Sequence, residues 1–189
     1  ESELEFIWNE IKHIDYVMDH VFDEKAKEEH RKSHNGMTDE GDSRMSGFGL
    51  SLDTYYSDRK FSAILNYSGK LIEEEICKAM VGINGENSAY KQVNWYFTLL
   101  NKYNSGEAYN KHIDSASFSA ITFLSKEDIQ GGGLEFCDYK TTVPFKNNSC
   151  VLFPSRVYHK TESFTSQAER YSIAQFMNIR YYTDRNGGH

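Results

Sequence analysis

Proline and cysteine are scarce in this sequence, and long apolar runs are absent. Two prolines among 189 residues exclude a proline-rich linker. The three cysteines, Cys77, Cys137 and Cys150, are odd in number and lack zinc-type spacing, so they indicate reduced thiols in a cytoplasmic protein. No apolar stretch approaches the roughly 20 residues that span a bilayer, and the amino end lacks the pattern of a signal peptide, so we expect no membrane association.

Positive charge is also in short supply. The formal net charge is −7 and the pI is about 5.5. Surfaces that bind duplex DNA or anionic membranes draw most of their affinity from clustered Lys and Arg, so this balance argues against nucleic acid as the partner. A local basic groove remains open. The sequence does not indicate the oligomeric state.

Aromatic residues, by contrast, are abundant. The chain contains 13 Tyr, 12 Phe and 2 Trp. Each buries a large area, and all three types favour strands, so an ordered and strand-rich body is expected. A length of 189 residues fits one domain with a sizeable core, and we expect a single domain over 1–189.

The first 90 residues carry a helical pattern. Apolar residues spaced three and four apart from Leu4 to Phe22 predict an amphipathic helix that continues to about His30. A second helical stretch is predicted from Lys60 to Met80, with a weak point at Ser68-Gly69. The segment between them, 33–58, is rich in Gly, Asp and Ser, and is either a flexible connection or a lid over a substrate.

After residue 90 the pattern changes to short strands separated by turns. The predicted strands are 92–103, 117–125, 133–139, 149–154, 157–163 and 170–182. Helices followed by closely spaced strands predict an α+β, mainly β fold: a double-stranded β-helix, jelly-roll or cupin-like, braced by two or more helices. Residues 1–90 would supply the helical support with its long loop, and 91–183 the β core.

The tripeptide His-Ile-Asp occurs twice, and secondary structure separates the two copies. His13 and Asp15 lie on the predicted helix, where residues two apart project about 200° apart, so they cannot face one ion. We expect both to be solvent-exposed. His112 and Asp114 lie where a strand runs into a loop, and alternate side chains there share a face, so they can converge on one cation.

A metal site of this kind needs a third ligand, and His159 in a later predicted strand is the candidate. Two imidazoles and one carboxylate with open positions suit non-haem Fe(II) oxygenases. On the next strand Arg170, Ser172, Ala174 and Phe176 share a face. A guanidinium pairs bidentately with a carboxylate, so Arg170 and Ser172 would suit a dicarboxylate beside the metal. Alternatively, His159 is a core or surface histidine, and Arg170 forms a surface ion pair with an acidic residue.

Together, the segments "YNSGEAYNKHIDSASFSAITFLS", "GGGLEF", "SRVYHKTES" and "RYSIAQF" resemble the Fe(II)/2-oxoglutarate-dependent dioxygenases, in particular their prolyl 4-hydroxylase-like branch. The resemblance covers about residues 92–180. It implies Fe(II) ligands at His112, Asp114 and His159. It implies that Arg170, Ser172 and Tyr103 bind 2-oxoglutarate, and that Gly132 to Phe136 form a turn into a strand.

Two positions distinguish this sequence within the resemblance. Collagen-type prolyl hydroxylases use Lys as the carboxylate anchor, whereas Arg170 is similar to the oxygen-sensing and bacterial members. A cosubstrate contact that relatives make with a Tyr falls near Thr122 or Phe123, and Phe123 has no hydroxyl. Because Asp114 is present, the sequence does not resemble the halogenating relatives.

The implied activity is hydroxylation of an unactivated C–H, coupled to decarboxylation of 2-oxoglutarate to succinate. Fe(II), 2-oxoglutarate and O2 are implied, with ascorbate as a further reductant. The substrate is expected to be a peptidyl proline, with a free amino acid or other small metabolite and then a nucleobase as alternatives. A non-oxidative cupin-type metal-binding or binding module also remains open. The candidate substrate-facing residues are Tyr109, Arg156, Phe176 and Asn178, with Arg44 or Tyr55 from the long loop.

Overall fold

The computed structural model describes residues 2–35 and 45–180, and the helices precede most of the strands. The α-helices in these ranges are α1 (Glu3–His20), α2 (Glu24–Asn35), α3 (Leu52–Tyr55), α4 (Ala63–Gly69) and α5 (Glu74–Ile83). Short 3-10 helices occupy Arg59–Phe61, Lys70–Ile72 and Gly85–Gln92. None of the described helices is long and apolar enough to cross a membrane.

The predicted helix from Leu4 to His30 is two helices, so the prediction of one element was wrong. The chain leaves helical geometry after His20 and re-enters it at Glu24. The Asp23 carboxylate accepts a hydrogen bond from the backbone N–H of Ala26 at 2.7 Å. A side chain that caps the first turn in this way begins a new helix, and the apolar spacing alone does not reveal it.

The strands form two larger antiparallel sheets and one short pair. They are β1 (Phe48–Ser51), β2 (Trp95–Tyr103), β3 (Tyr109–His112), β4 (Phe118–Ser125), β5 (Gln130–Gly131), β6 (Leu134–Phe136), β7 (Thr141–Val143), β8 (Ser149–Pro154), β9 (His159–Thr161), β10 (Phe164–Thr165) and β11 (Arg170–Asn178). The larger sheet has the order β1-β2-β11-β4-β8, and the smaller has the order β3-β9-β6-β7. This is the predicted double-stranded β-helix with helical support.

Helix α1 covers the outer face of the larger sheet. Its buried residues Ile7, Ile11, Ile14 and Met18 share one apolar cluster with Ile173 of β11. Because side chains alternate along a strand, the intervening β11 residues point to the opposite, inner face. The helix therefore holds one face of the sheet and leaves the other free to form a cavity.

The prediction of a loop over residues 33–58 is partly wrong. Residues 36–44 lie outside the described residues, but β1 pairs with β2 at the sheet edge and α3 follows it directly. A Cβ on Gly49 would lie 2.3 Å from Asn101 Oδ1, so a larger residue would displace the buried Asn101 side chain, and glycine suits this pairing. Gly49, one of the small residues that suggested a loop, is there because β1 packs closely against β2.

Smaller differences concern short strands and strand ends. The strands β5, β7 and β10, of two or three residues, were not predicted because such lengths show no alternation. Residues 85–92 are helical, so the predicted strand 92–103 begins at Trp95. The last strand ends at Asn178, and 181–182 lie outside the described residues.

Candidate metal centre and its cavity

Strands β3 and β9 bring the second His-Ile-Asp copy against His159. The two strands pair antiparallel with His112 opposite His159. The Asp114 carboxylate lies between the rings, with Oδ1 3.4 Å from His112 Nε2 and Oδ2 3.5 Å from His159 Nε2. One ligand atom from each residue lies within 4.8 Å of the other two, and all three residues are buried. These three residues are called the triad below.

Hydrogen bonds to backbone carbonyls orient both imidazoles. His112 Nδ1 lies 2.7 Å from the carbonyl oxygen of Asn110, and His159 Nδ1 lies 2.9 Å from that of Val157. A carbonyl only accepts, so each Nδ1 carries the proton and each Nε2 keeps a lone pair toward the shared point. This is the tautomer that a metal-binding histidine requires.

Two serines hold the Asp114 carboxylate in place. The Ser119 hydroxyl donates to Asp114 Oδ2 at 2.5 Å, and it lies 2.7 Å from the Ser155 hydroxyl. The backbone N–H of Asp114 also donates to the Ser155 carbonyl at 3.1 Å. Neither serine was predicted, because their meeting depends on the pairing of β4 with β8, which no local pattern shows.

Both pKa shifts in the triad favour the forms that bind a metal. Burial opposes ionisation of Asp114, but its interactions with His112, His159 and Ser119 outweigh this effect and hold the carboxyl pKa below its usual value. Burial lowers the pKa of His159, and Asp114 only partly offsets this. Two neutral imidazoles and one carboxylate fit an open Fe(II) site.

The triad lies in the wall of a cavity of about 440 Å³ between the two sheets. Alternate residues of β2 line it, namely Trp95, Phe97, Leu99, Asn101 and Tyr103. So do Ser172, Ala174, Phe176 and Asn178 from β11. Ser172, Ala174 and Phe176 therefore share the cavity face, as the sequence predicts, whereas Arg170, which was predicted on the same face, is fully buried and is not among the lining residues. The matching face of β2 was missed, although the same alternation, followed backward from Tyr103, would have found it.

Arg170 is a buried cation without a hydrogen-bonding partner among the described residues. Its side chain is 0% exposed, and no acceptor within 2–35 and 45–180 bonds to Nε, Nη1 or Nη2. Its guanidinium carbon lies 4.9 Å from the ring centre of Tyr103, 5.4 Å from that of Phe123 and 5.9 Å from that of Phe145. Burial lowers its pKa. A buried, unpaired charge is strongly unfavourable, so the position fits an anionic ligand group.

Two hydroxyl side chains accompany this cation. Tyr103 is opposite Arg170 in the strand register, and Ser172 follows two residues later on the same face. Burial raises the pKa of Tyr103 to about 12, although Arg170 opposes the shift, so Tyr103 remains a neutral O–H donor. Asn101 lies beside them: its Nδ2 donates to Ser172 Oγ at 3.4 Å, and its buried Oδ1 has no donor in the described part of the chain. Asn101 was not predicted from the sequence.

The remaining predicted residues are placed unevenly around the cavity. Tyr109, Phe176 and Asn178 line it, and the Tyr109 ring stacks on His112 with centroids 3.9 Å apart. Arg156 is exposed and is not among the lining residues. Tyr55 bonds to His13 on α1 instead, and Arg44 lies outside the described residues.

The predicted glycine turn is present at Gly132, and the amino-terminal His-Ile-Asp lies on α1. Gly132 has a φ of +70°, and a Cβ there would lie 3.3 Å from Arg170 Cδ, so glycine lets the turn pass close to the buried cation. His13 is exposed, as predicted, but Asp15 is not fully solvated: it forms an ion pair with the buried Lys102 ammonium. The expectation of full exposure for Asp15 was therefore wrong.

Comparison with protein families gives one match. The family model described as "2OG-Fe(II) oxygenase superfamily" matches residues 98–178, which include the triad and Arg170. Comparison with curated proteins finds no significant match.

Comparison with solved structures finds prolyl hydroxylases. One, from Trichoplax adhaerens in complex with a hypoxia inducible factor oxygen degradation domain peptide fragment, is 14% identical, covers 95% of this chain and 79% of its own, and has a TM-score of 0.59. A prolyl-4-hydroxylase from Pseudomonas putida is 17% identical over 72% and 74%, with a TM-score of 0.49. The viral collagen prolyl hydroxylase of Paramecium Bursaria Chlorella virus-1 is 14% identical over 70% and 78%, with a TM-score of 0.48.

A double-stranded β-helix with a His-Asp-His triad in its cavity is the architecture of a non-haem iron oxygenase. Residues 98–178 match the model of the 2OG-Fe(II) oxygenase superfamily, and this match together with the triad identifies the protein as a 2-oxoglutarate-dependent dioxygenase. The superfamily uses Fe(II), 2-oxoglutarate and O2, and the donor set described above fits the iron.

Proposed function

We propose that this dioxygenase hydroxylates a proline within a peptide or protein, with 2-oxoglutarate converted to succinate and CO2. The observation that carries the proposal is the chemistry of the cavity wall. Apart from the triad, the described residues that line the cavity have no charged side chain, and five aromatic residues are among them: Trp95, Phe97, Tyr103, Tyr109 and Phe176.

Residues that line the cavity, or lie buried beside it, each have a role in this proposal. His112, Asp114 and His159 hold Fe(II), which with 2-oxoglutarate and O2 supplies the oxidising power when bound. Arg170 binds the distal carboxylate of 2-oxoglutarate, and the hydroxyls of Tyr103 and Ser172 donate further hydrogen bonds to it. Ser119 keeps Asp114 in position through the hydrogen bond described above.

The uncharged wall favours a peptide over a free amino acid. A free amino acid carries an ammonium and a carboxylate, and enclosing both without partners is strongly unfavourable. A proline inside a chain carries neither charge. Its ring also packs well on aromatic faces, as in aromatic-lined grooves that recognise proline-rich segments. The peptide bound to the Trichoplax adhaerens protein, which has the same fold, supports this choice.

The other functions considered from the sequence account for fewer features. A free amino acid or other small metabolite remains the rival substrate, and a nucleobase is disfavoured by the acidic charge. A non-oxidative binding module gives no role to the buried, unpaired Arg170. Cytoplasmic location and ascorbate dependence stay predictions.

A substrate panel tests the proposal. Purified protein with Fe(II), 2-oxoglutarate and ascorbate would be incubated with peptides of varied sequence around one proline, with free proline and with other free amino acids. We expect a mass increase of one oxygen on a proline peptide, together with matching succinate release. The Asp114→Ala variant is the control for uncatalysed oxidation. Hydroxylation of a free amino acid with no reaction on any peptide would contradict the proposal.

A further inference from the structure

An exposed arginine lies at the rim of the cavity, two residues beyond the end of β11. The guanidinium carbon of Arg180 lies 3.8 Å from the ring centre of Trp95. Trp95 lines the cavity and stacks nearly parallel on Phe97, with centroids 6.3 Å apart. Arg180, Trp95 and Phe97 therefore form a row along the cavity wall that begins with a cation at the rim.

The backbone around Arg180 is fixed from both sides. Its N–H donates to Asn94 Oδ1 at 2.8 Å, and its carbonyl accepts from Asn94 Nδ2 at 2.8 Å. The Asn94 N–H in turn donates to the Asn178 carbonyl at 3.1 Å. A cation held on a ring by a clamped backbone loses little conformational entropy when it binds a ligand.

Arg180 has no carboxylate partner among the described residues. Arg59, by comparison, is paired with Asp53, and Arg170 is buried. In a chain with net charge −7, intramolecular partners for an exposed arginine are plentiful, yet no ion pair forms with Arg180 in the described ranges. Its planar donor fork remains available to a carboxylate from outside the chain.

The strand register gives the distance from the metal centre to this cation. Ser119, which bonds to the Asp114 carboxylate, pairs with Phe176. Arg180 is four residues further along, or about 13 Å in an extended chain. An extended substrate with its reacting residue at the triad would therefore reach Arg180 with a side chain about two to four residues away.

We propose that Arg180 is a specificity residue that selects peptides with an acidic residue about two to four positions from the hydroxylated proline. This rests on the proposed function, since it requires a peptide substrate. The acidic side chain pairs with the guanidinium on Trp95 and stays at the rim, while the uncharged proline enters the cavity. The interaction is made equally in the bound substrate and in the transition state, so it acts on KM and not on kcat.

A glutamate scan tests this inference. Peptides with one central proline would carry a single Glu, Gln or Lys at each of the four positions on either side, and kcat/KM for proline hydroxylation would be measured by mass. Wild-type protein is expected to favour Glu over Gln by about three- to tenfold at one or two positions on one side, through KM. Arg180→Gln should remove this preference, and Arg180→Glu should reverse it in favour of Lys.

The matched control is Lys126→Gln. Lys126 is also an exposed cation on a tryptophan, with Nζ 5.6 Å from the Trp8 ring centre, and Trp8 packs on the outer-face cluster. This variant should keep the wild-type preference. A circular dichroism spectrum and a melting temperature equal to those of wild type show that Arg180→Gln is folded.

The outcomes separate this inference from the proposed function. If proline peptides are hydroxylated but Glu and Gln peptides react equally well at all eight positions, the Arg180 inference is overturned and the proposed function stands. Retention of the preference in Arg180→Gln overturns the inference in the same way. If no peptide of the scan is hydroxylated, the proposed function fails and the inference fails with it.

Discussion

The guanidinium of Arg170 packs against the ring of Tyr103 in the protein interior, 4.9 Å from ring centre to guanidinium carbon, and no acceptor in the described chain bonds its nitrogens. A buried charge in this state lowers the stability of the ligand-free fold. The interior of the β-helix is therefore organised for a bound anion at some expense of stability, as is common for functional sites.

Replacement of Arg170 by methionine should separate stability from binding. Without ligands, we expect the free energy of unfolding of Arg170→Met to equal or exceed that of wild type, by about 1 kcal/mol or more, because an unpaired buried charge is removed. Wild type should gain about 2.7 kcal/mol from 2-oxoglutarate with Mn(II) at a hundredfold excess over the dissociation constant, and the variant should gain nothing. Urea unfolding with and without ligands measures both quantities.

Arg59 provides the control for this experiment, because its guanidinium is paired with Asp53. Arg59→Met should lose stability without ligands, since it leaves that carboxylate unpaired, and should keep the full response to 2-oxoglutarate. Equal behaviour of the two variants would contradict the role given to Arg170.

The triad prediction compares histidines in different settings. His112→Ala, Asp114→Ala and His159→Ala should each abolish succinate release, because each removes a ligand from a site of three. His13→Ala should leave turnover intact, since His13 is exposed on α1 and bonds only to Tyr55 in the described chain. Loss of turnover in His13→Ala equal to that in His112→Ala would refute the distinction between the two His-Ile-Asp copies.

Ser119 should tune metal affinity without being a ligand. Ser119→Ala removes the hydrogen bond to Asp114 Oδ2, and loss of such a support typically weakens metal binding about 10- to 100-fold. Mn(II) titration followed by tryptophan fluorescence would report the change. Ser149→Ala is the control, because its hydroxyl bonds only to the Lys146 carbonyl. Unchanged Mn(II) affinity in Ser119→Ala would show that the hydrogen bond has no part in metal binding.

Tyr103 gives a prediction for alkaline pH. Burial, partly opposed by Arg170, raises its pKa from 10.0 to about 12, so the unfolded chain loses this proton at lower pH than the folded one. Stability is then fully retained below pH 10 and falls as pH rises toward 12, by about 2–3 kcal/mol for this group. The free energy of unfolding of Tyr103→Phe should fall less than that of wild type between pH 10 and 12. Parallel stability curves for the two proteins would exclude this role for the buried hydroxyl.

Most of the architecture could be predicted because its signals are local. The aromatic and β-branched residues of β4 and β11, strands that are buried along most of their length, are a local pattern, and so is the helical spacing of the apolar residues of α1. The edge strand β1 could not be predicted, because Gly49 is explained only by its approach to Asn101, about 50 residues away. The break between α1 and α2 depends on a single capping side chain, that of Asp23.

The residues of the site also fall into those that the sequence pattern predicted and those that it did not. His112, Asp114, His159 and Arg170 carry chemistry that few other residues supply, so their pattern was sufficient to select them. Ser119, Ser155 and Asn101 are common polar residues whose importance comes from strand register. Arg156 was selected because it shortly precedes His159 and Tyr55 because it lies in the predicted long loop, and the fold places both away from the cavity lining.

Calorimetric titration of 2-oxoglutarate into wild-type protein, with and without Mn(II), measures whether the triad and Arg170 form one binding site. We expect one 2-oxoglutarate per chain, bound much more tightly when Mn(II) is present, with the metal-dependent gain lost in Asp114→Ala and the binding itself lost in Arg170→Met. If 2-oxoglutarate does not bind, or binds with an affinity that depends on neither Mn(II) nor Arg170, the triad and Arg170 do not form such a site.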